Sequence, residues 1–396
     1  MNEYIESKMS QTIQNPIKGC YLHYQDILHN ETLWGSDKKV AAQIKAFNAA
    51  GLTCDFIFCE QPKSIEARVL SCLPFTMDGV RWPDPERIAE YSFVYIRRPR
   101  FISRELIQLI KEVKKRNPNI QVILEIPTYP YDSELKTFTR YPALLKDRKS
   151  RKELKSCIDR IAIISSEVEV FGIETIPITN GIDLDLIAPK KPVSNLDEVG
   201  IITVAYFTRW HGLDRLIAGM INYYRDGASQ RKVVLHVAGT GDEIKPLMKQ
   251  VNAVGLEDRI IFHGYCDSDE LNMLYDQCSL AVESLGFHRR SGVTVSASLK
   301  SREYLAKGIP FICANEIDVF VDSPVDFFLQ VPGDENPINI ESLLCFHDRL
   351  YETETQENLV ARIRLFAESH VNMDKVMGKV VSYITENCNT SNRRQL

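Results

Sequence analysis

Arg209, His211 and Gly212 lie within four residues of one another, in the stretch YFTRWHGLDRLI (206–217) that follows the apolar run GIITVA. A guanidinium and an imidazole beside a glycine, where a buried strand hands over to a helix, suit an anion. A helix start presents free N–H groups and the positive end of the helix dipole. Glycine lets that backbone come close to a ligand. Trp210 stands between the two basic side chains and packs the turn. The plainer alternative for His211 alone is a helix-start histidine facing solvent.

A second constellation lies in SGVTVSASLKSREYLAKGIPFICA (291–314). Ser296 or Ser298 can cap a helix beginning near Leu299. Gly308 ends it and Pro310 follows. Lys300 and Glu303 are three apart and so share a face near the helix start. A lysine there adds to a phosphate site, and a carboxylate one turn in accepts hydrogen bonds from a ribose or sugar diol. Phosphate together with sugar hydroxyls describes a nucleotide. A solvated ion pair on an ordinary helix is the alternative.

With these residues in view, 200–315 resembles the donor-binding half of the retaining GT-B glycosyltransferases of the family-four type. The elements stand in order: TRWHGLDRLI, HVAGTGDE (236–243), IIFHGY (260–265) and SLKSREYLAKGIPFI (298–312). The last is similar to the family's Lys-x-x-Glu-(Tyr/Ala)-(Met/Leu)-Ala-x-Gly-x-Pro signature. Earlier, LEIPTYPYD (124–132) and TNGIDLD (179–185) resemble pieces of capsule and O-antigen transferases. The resemblance implies that Glu303 holds the nucleotide ribose, that His211 meets the donor diphosphate with Arg209 and Lys300 nearby, and that Gly212, Gly241, His263 and Gly264 line the donor site. Arg209 does not fall on the family's usual arginine position, which holds Tyr206. Val295 stands where the family often has a glutamate against the transferred sugar. In WGSDKKV (34–40), Gly35 occupies the place of a glycine-bearing loop beside the donor phosphate, although Ser36 or Asp37 as a simple helix cap is an equal reading. Glu125, with Thr128 and Tyr129, would orient the acceptor hydroxyl; a buried structural carboxylate is the alternative.

These residues need elements to hold them. The chain has 396 residues, 44% hydrophobic and 26% charged, with a formal net charge of −5. That balance is soluble and globular and gives no general reason to expect nucleic acid. No apolar run approaches the ~20 residues of a membrane span, and MNEYIESKMSQT does not read as a signal peptide. The ten cysteines form no Cys-x-x-Cys pair and read as buried free thiols in a reducing cytoplasm. Short apolar runs at 20–24, 54–59, 93–99, 121–127 and 160–166, and again at 200–207, 233–239, 259–265, 279–285 and 309–314, alternate with amphipathic stretches. The helices expected in the second half are 212–225, 243–254, 269–278 and 299–307, with more helix over 356–387. This pattern predicts parallel strands buried on both faces. Residues 180–200, with glycine, prolines and charges, read as a linker.

The expected architecture is therefore α/β and GT-B: two doubly wound, Rossmann-like domains facing across a cleft, with a C-terminal helix able to return to the first. The boundaries are 1–185 for an acceptor-binding domain, 186–370 for a nucleotide-sugar donor domain and 371–396 for the final helix and tail. The activity implied is retaining, metal-independent transfer of a sugar from a UDP- or GDP-linked donor, with no cofactor, to a hydroxyl of a saccharide acceptor, lipid-linked and part of surface polysaccharide assembly. The Asp-x-Asp pairs, Asp183/Asp185 and Asp267/Asp269, read as structural and no metal site is expected. The cation-rich stretch 140–160 offers peripheral contact with anionic lipid on the inner face of the cell membrane, with a solvated helix face as the alternative. A catalytically degenerate GT-B subunit supporting an active partner, and a GT-B nucleotide-sugar epimerase, are the rival functions.

Overall fold

Strand β1 (Lys18–His23) pairs in parallel with β2 (Thr53–Phe58) on one side and β3 (Phe93–Arg97) on the other. The sheet continues through β4 (Gln121–Ile126) and β5 (Arg160–Ile163), and its far edge is an antiparallel pair, β6 (Glu169–Val170) with β7 (Ile173–Pro177). The order is β2-β1-β3-β4-β5-β7-β6. The computed structural model from which this is read describes residues 17–29, 35–73, 75–135, 140–225, 231–289 and 295–393. Residues 93–96 and 122–126 are buried without interruption, as a parallel sheet covered on both faces requires. Helix Arg104–Arg116 shows why the coverings are helical. The Ser103 hydroxyl caps it by accepting from the Leu106 N–H at 3.1 Å, and Leu106, Ile107, Ile110 and Val113 bury one stripe.

The chain divides into two compact units, Met1–Ile178 with Met377–Leu396, and Thr179–Val376. In the first unit the helix Met373–Arg393 contributes from Met377 onward. Tyr383 donates to the Gln121 side chain at 2.8 Å, and the Arg160 guanidinium lies 5.0 Å from the Tyr383 ring centre.

The second unit holds β8 (Glu198–Val204), β9 (Lys232–Ala238), β10 (Ile260–Gly264), β11 (Leu280–Val282), β12 (Val295–Ser296), β13 (Phe311–Cys313), β14 (Glu316–Ile317) and β15 (Phe328–Gln330). Six of them form one parallel sheet in the order β10-β9-β8-β11-β13-β15, and β12 pairs with β14 apart from it. From β8 the chain winds outward through β9 and β10, then returns to place β11 on the other side of β8. That reversal puts a topological switch point at the carboxyl ends of β8 and β11, where ligands of such sheets bind.

The α/β architecture and the helices expected from the sequence are present, with helix 299–307 reproduced to the residue. The structure corrects the domain edges. The chain changes units at 178/179 and again at 376/377, not at 185/186 and 370/371. The expected linker 180–200 is part of the second unit, because buried guanidiniums satisfy its backbone. Arg302, wholly buried, donates to the Asn180 carbonyl at 2.8 Å, to the Thr179 hydroxyl at 2.7 Å and to Asp318 at 2.5 Å. Arg364 donates to the carbonyls of Leu184 and Ile187 at 2.7 Å. Eight of the ten cysteines are buried and all are free.

Removing one partner of a buried ion pair strands the other. Arg302→Met should therefore cost about 3 kcal/mol in a urea unfolding curve. A loss below about 1 kcal/mol would show that Thr179 and Asn180 are held by other means.

Candidate functional site

The turn after β8 is built around one backbone shape. Residues Arg209–His211 form a single 3-10 turn that ends at Gly212 with φ 65°. A Cβ on Gly212 would lie 2.6 Å from the Gly286 nitrogen, so the position excludes any side chain. The Leu285 N–H donates to the His211 carbonyl at 2.9 Å. The helix Leu213–Arg225 thus starts against the loop that leaves β11. On the other side, the Phe207 N–H donates to the Thr240 carbonyl at 2.6 Å, and a Cβ on Gly241 would fall 2.1 Å from the Phe207 carbonyl oxygen. The Gly239 N–H donates to the Gly264 carbonyl at 2.6 Å. The ends of β8, β9, β10 and β11 are therefore joined by direct backbone contacts.

His211 is half-buried, and its ring has a fixed orientation. The Thr208 N–H donates to Nδ1 at 3.0 Å. Nδ1 is then an acceptor, so the neutral ring carries its proton on Nε2. The Trp210 ring, 39% exposed, lies 5.9 Å from the imidazole. The Arg209 side chain is exposed, and its carbonyl accepts from Arg289 at 2.8 Å. Arg289 is locked in turn by Asp214 at 2.8 Å and Glu335 at 2.5 Å, and these carboxylates hold its pKa up.

Helix Leu299–Lys307 carries the second constellation. The Ser298 hydroxyl caps it by accepting from Ser301 N–H at 3.1 Å, and Gly308 ends it at φ 73°. Glu303 is half-buried, and the buried Tyr275 hydroxyl donates to its Oε1 at 3.1 Å. Tyr275 was not singled out from the sequence. The available signal is a tyrosine at a core position of helix Ser268–Gln277, whose hydroxyl needs a partner.

Lys300 is corrected by the structure. Its ammonium does not project as an open phosphate ligand; it turns onto the loop after β11. It donates to the Ser284 hydroxyl at 2.9 Å and to the Glu283 carbonyl at 3.3 Å, and lies 3.7 Å from the buried Glu283 carboxylate. Burial pulls the Lys300 pKa below its usual value, against the pull of Glu283. Burial also works to raise Glu283, but Lys300 and the Cys313 thiol at 2.9 Å hold it low. Lys300 is thus a positioning residue: it fixes the Glu283–Gly286 loop against which Gly212 packs.

Arg215 secures the same loop from the other direction. Its side chain is buried and donates to the carbonyls of Leu285, Asn336 and Pro332 and to Asp334, at 2.5 to 3.0 Å. Val295 is exposed in β12, with Glu316 as its register partner in β14.

His263 and Gly264 lie on the edge strand β10. His263 Nε2 is 3.0 Å from His236 Nδ1, with the rings stacked 12° from parallel. Both imidazoles are pulled down by burial, His236 to about 4.

In the first unit, Gly35, Ser36 and Asp37 all lie within the described helix Gly35–Ala49, so neither Ser36 nor Asp37 is a cap outside it; Trp34 lies outside the described residues. Glu125 is corrected. It is 0% exposed, and its oxygens accept from Lys39 at 2.9 Å, Gln43 at 2.7 Å, Tyr95 at 2.9 Å and Arg97 at 3.1 Å. Burial would raise its pKa, but Lys39 and Arg97 hold it down to about 2. It is a structural carboxylate with no surface for an acceptor hydroxyl.

Asp183 and Asp267 cap short helices by accepting from Asp185 and Asp269 N–H groups. In the 140–160 stretch, Lys146 is buried on the carbonyls of Ser71 and Thr76, Arg148 and Arg151 pair with Asp132, and Arg160 pairs with Glu174. Those four cations are committed internally, while Lys149, Lys152 and Lys155 are exposed. Lys136 lies outside the described residues.

An imidazole kept neutral when folded takes up a proton on unfolding. For His236 this destabilises the fold as pH drops from about 6.5, the unfolded value, toward about 4. Urea midpoints at pH 7 and pH 4.5 should differ for the wild type, with His236 contributing ~2 kcal/mol. His236→Leu should narrow that difference, and an unchanged difference would remove His236 as a source of acid sensitivity.

Residues 187–326 match the family Glycosyl transferases group 1. No curated protein matched the sequence. Among solved structures, a glycosyltransferase from Rickettsia africae ESF-5 superposes with a TM-score of 0.61 at 12% identity, over 94% of this chain and 99% of that one. Sucrose-phosphate synthase from Thermosynechococcus elongatus gives 0.59 at 15%, over 93% and 99%. HepE from Anabaena, in complex with UDP and glucose, gives 0.57 at 12%, over 93% and 100%. At such identities the likeness is one of fold, and that fold is GT-B. Residues 187–326 thus carry a glycosyl transferase group 1 domain within a GT-B fold, and the chain is a glycosyltransferase.

Proposed function

We propose that the enzyme moves a hexose-type sugar from a nucleoside diphosphate sugar to a hydroxyl of a saccharide acceptor, with retention at the anomeric carbon and without a divalent ion. One observation carries the reading: a half-buried carboxylate, Glu303, has one oxygen fixed by the Tyr275 hydroxyl, on a capped helix in the unit whose switch point bears the His211 turn. Glu303 accepts hydrogen bonds from the ribose diol. The start of helix Leu213–Arg225 and the Nε2–H of His211 meet the diphosphate. As the bond from the anomeric carbon to the phosphate oxygen breaks, its electron pair goes to that oxygen. Donors already aimed at the growing charge lower the barrier. The acceptor oxygen bonds to the anomeric carbon from the same face, and its proton ends on the departing phosphate oxygen. UDP is the first nucleotide to test, because HepE was crystallised with UDP and glucose. A lipid-linked saccharide of a surface polymer is the acceptor class proposed, from the capsule-like stretches at 124–132 and 179–185.

Calorimetry with UDP beside steady-state kinetics separates the roles. Glu303→Ala should weaken UDP binding by roughly 10- to 150-fold, the range for a lost charge-assisted bond. Tyr275→Phe should weaken it by a smaller factor, about 5-fold, because the carboxylate remains but is no longer held. His211→Ala should lower turnover more than UDP affinity, since it acts on charge that grows in the transition state. Wild-type UDP affinity in Glu303→Ala would remove that residue from the site. Turnover unchanged by EDTA is expected; loss in EDTA restored by magnesium or manganese would reject the metal-independent reading.

A further inference from the structure

The first unit exposes several large apolar side chains within one short segment. Val69 and Leu70 end the short helix Ile65–Leu70, and Phe75 and Met77 follow, with Phe75 99% exposed. Helix Tyr141–Ser150 is bolted to this segment. Lys146 donates to the carbonyls of Ser71 at 2.9 Å and Thr76 at 2.7 Å, and Cys72 shares a small core with Ala143 and Leu144. The same helix exposes Tyr141 and Leu145, and Lys149 continues their four-residue spacing along one stripe. Lys152 and Lys155 follow, exposed, in the next turn. Nearby acids are fewer: Glu153 is paired with Lys111 at 2.6 Å, and Glu66 is exposed in the first turn of its helix.

We propose that this face docks on an anionic lipid bilayer, with Leu70, Phe75 and Met77 entering the interface and Lys149 and Lys152 over the headgroups. Several large apolar side chains exposed within so short a segment suit a docking surface. Three features select lipid over a protein. Phe75 stands almost fully free, so no concave surface is prepared around it. The exposed apolar residues are divided between the 65–77 segment and the Tyr141–Leu145 stripe of the helix bonded to it, with lysines following on that helix. Their border is cationic on a chain whose net charge is −5, which complements an anionic surface. Amphipathic faces of this kind bind by apolar burial together with attraction to anionic lipid. The inference rests on the lipid-linked acceptor proposed above, and it gives that acceptor's membrane a place on the protein.

The test is co-sedimentation of the full chain with vesicles of phosphatidylcholine alone and of phosphatidylcholine with phosphatidylglycerol. The wild type should prefer the anionic vesicles. Lys149→Glu with Lys152→Glu, and separately Leu70→Ser with Phe75→Ser, should each lower binding roughly 10- to 30-fold. Equal binding by wild type and both variants overturns the proposal. A wild type that dimerises in sedimentation velocity, with monomeric variants and no vesicle preference, assigns the face to a second copy of the chain and also overturns it. UDP calorimetry on the same preparations keeps the two readings apart. Vesicle binding without UDP binding rejects the proposed donor and leaves the docking face standing, whereas UDP binding without vesicle preference does the reverse.

Discussion

Backbone meeting backbone without an intervening side chain is the constraint on which the second unit depends. Gly212 lies against Gly286, and Gly241 lies against Phe207. Any Cβ at either position would be driven into main-chain atoms that cannot move aside. These approaches draw the loops after β8, β9 and β11 into one surface and fix where the N–H groups at the start of helix Leu213–Arg225 point. A phosphate-sized anion needs that kind of surface, because its recognition uses several N–H groups held in advance.

Internally bonded cations hold the surface in place. Arg215 and Lys300 grip the Glu283–Gly286 loop from two sides, through carbonyls, a hydroxyl and carboxylates. Arg302 does the same for Thr179 and Asn180. Guanidiniums suit this work, since five fixed donors can satisfy several carbonyls at once. Helix Leu299–Lys307 thus carries three internal cations, Lys300, Arg302 and Lys307, beside Glu303, the residue proposed to hold the ribose. Fixing the helix on its inner side is what makes the direction of Glu303 reproducible.

What could be read from the sequence was local. Helix 299–307 announced itself through Ser298, the Lys300–Glu303 spacing and Gly308, all within a few residues. Gly212 was legible too, as the glycine between the turn after β8 and the helix that follows it. What was not legible depended on distant partners. Lys300 looked like a phosphate ligand until Ser284, 16 positions away, took its ammonium. Glu125 looked available until Lys39, 86 positions earlier, neutralised it. The segment 180–200 had the composition of a linker, and only the guanidiniums of Arg302 and Arg364 reveal it as integral to a domain. The strands β7 and β15 lie near sheet edges, where burial is partial and the apolar signal weak.

The final helix changes units at Met377, and that has a bearing on how the protein is born. Gln43 and Gln121 leave a ribosome well before Met377 and Tyr383, which they contact. Domains generally fold as they emerge, the N-terminal one first. Here the first unit lacks its contacts from Met377 onward until the whole of Thr179–Val376 has been synthesised. The second unit has no such debt and is complete before the first is sealed. During translation, the unit that comes first in the sequence is the one that finishes second.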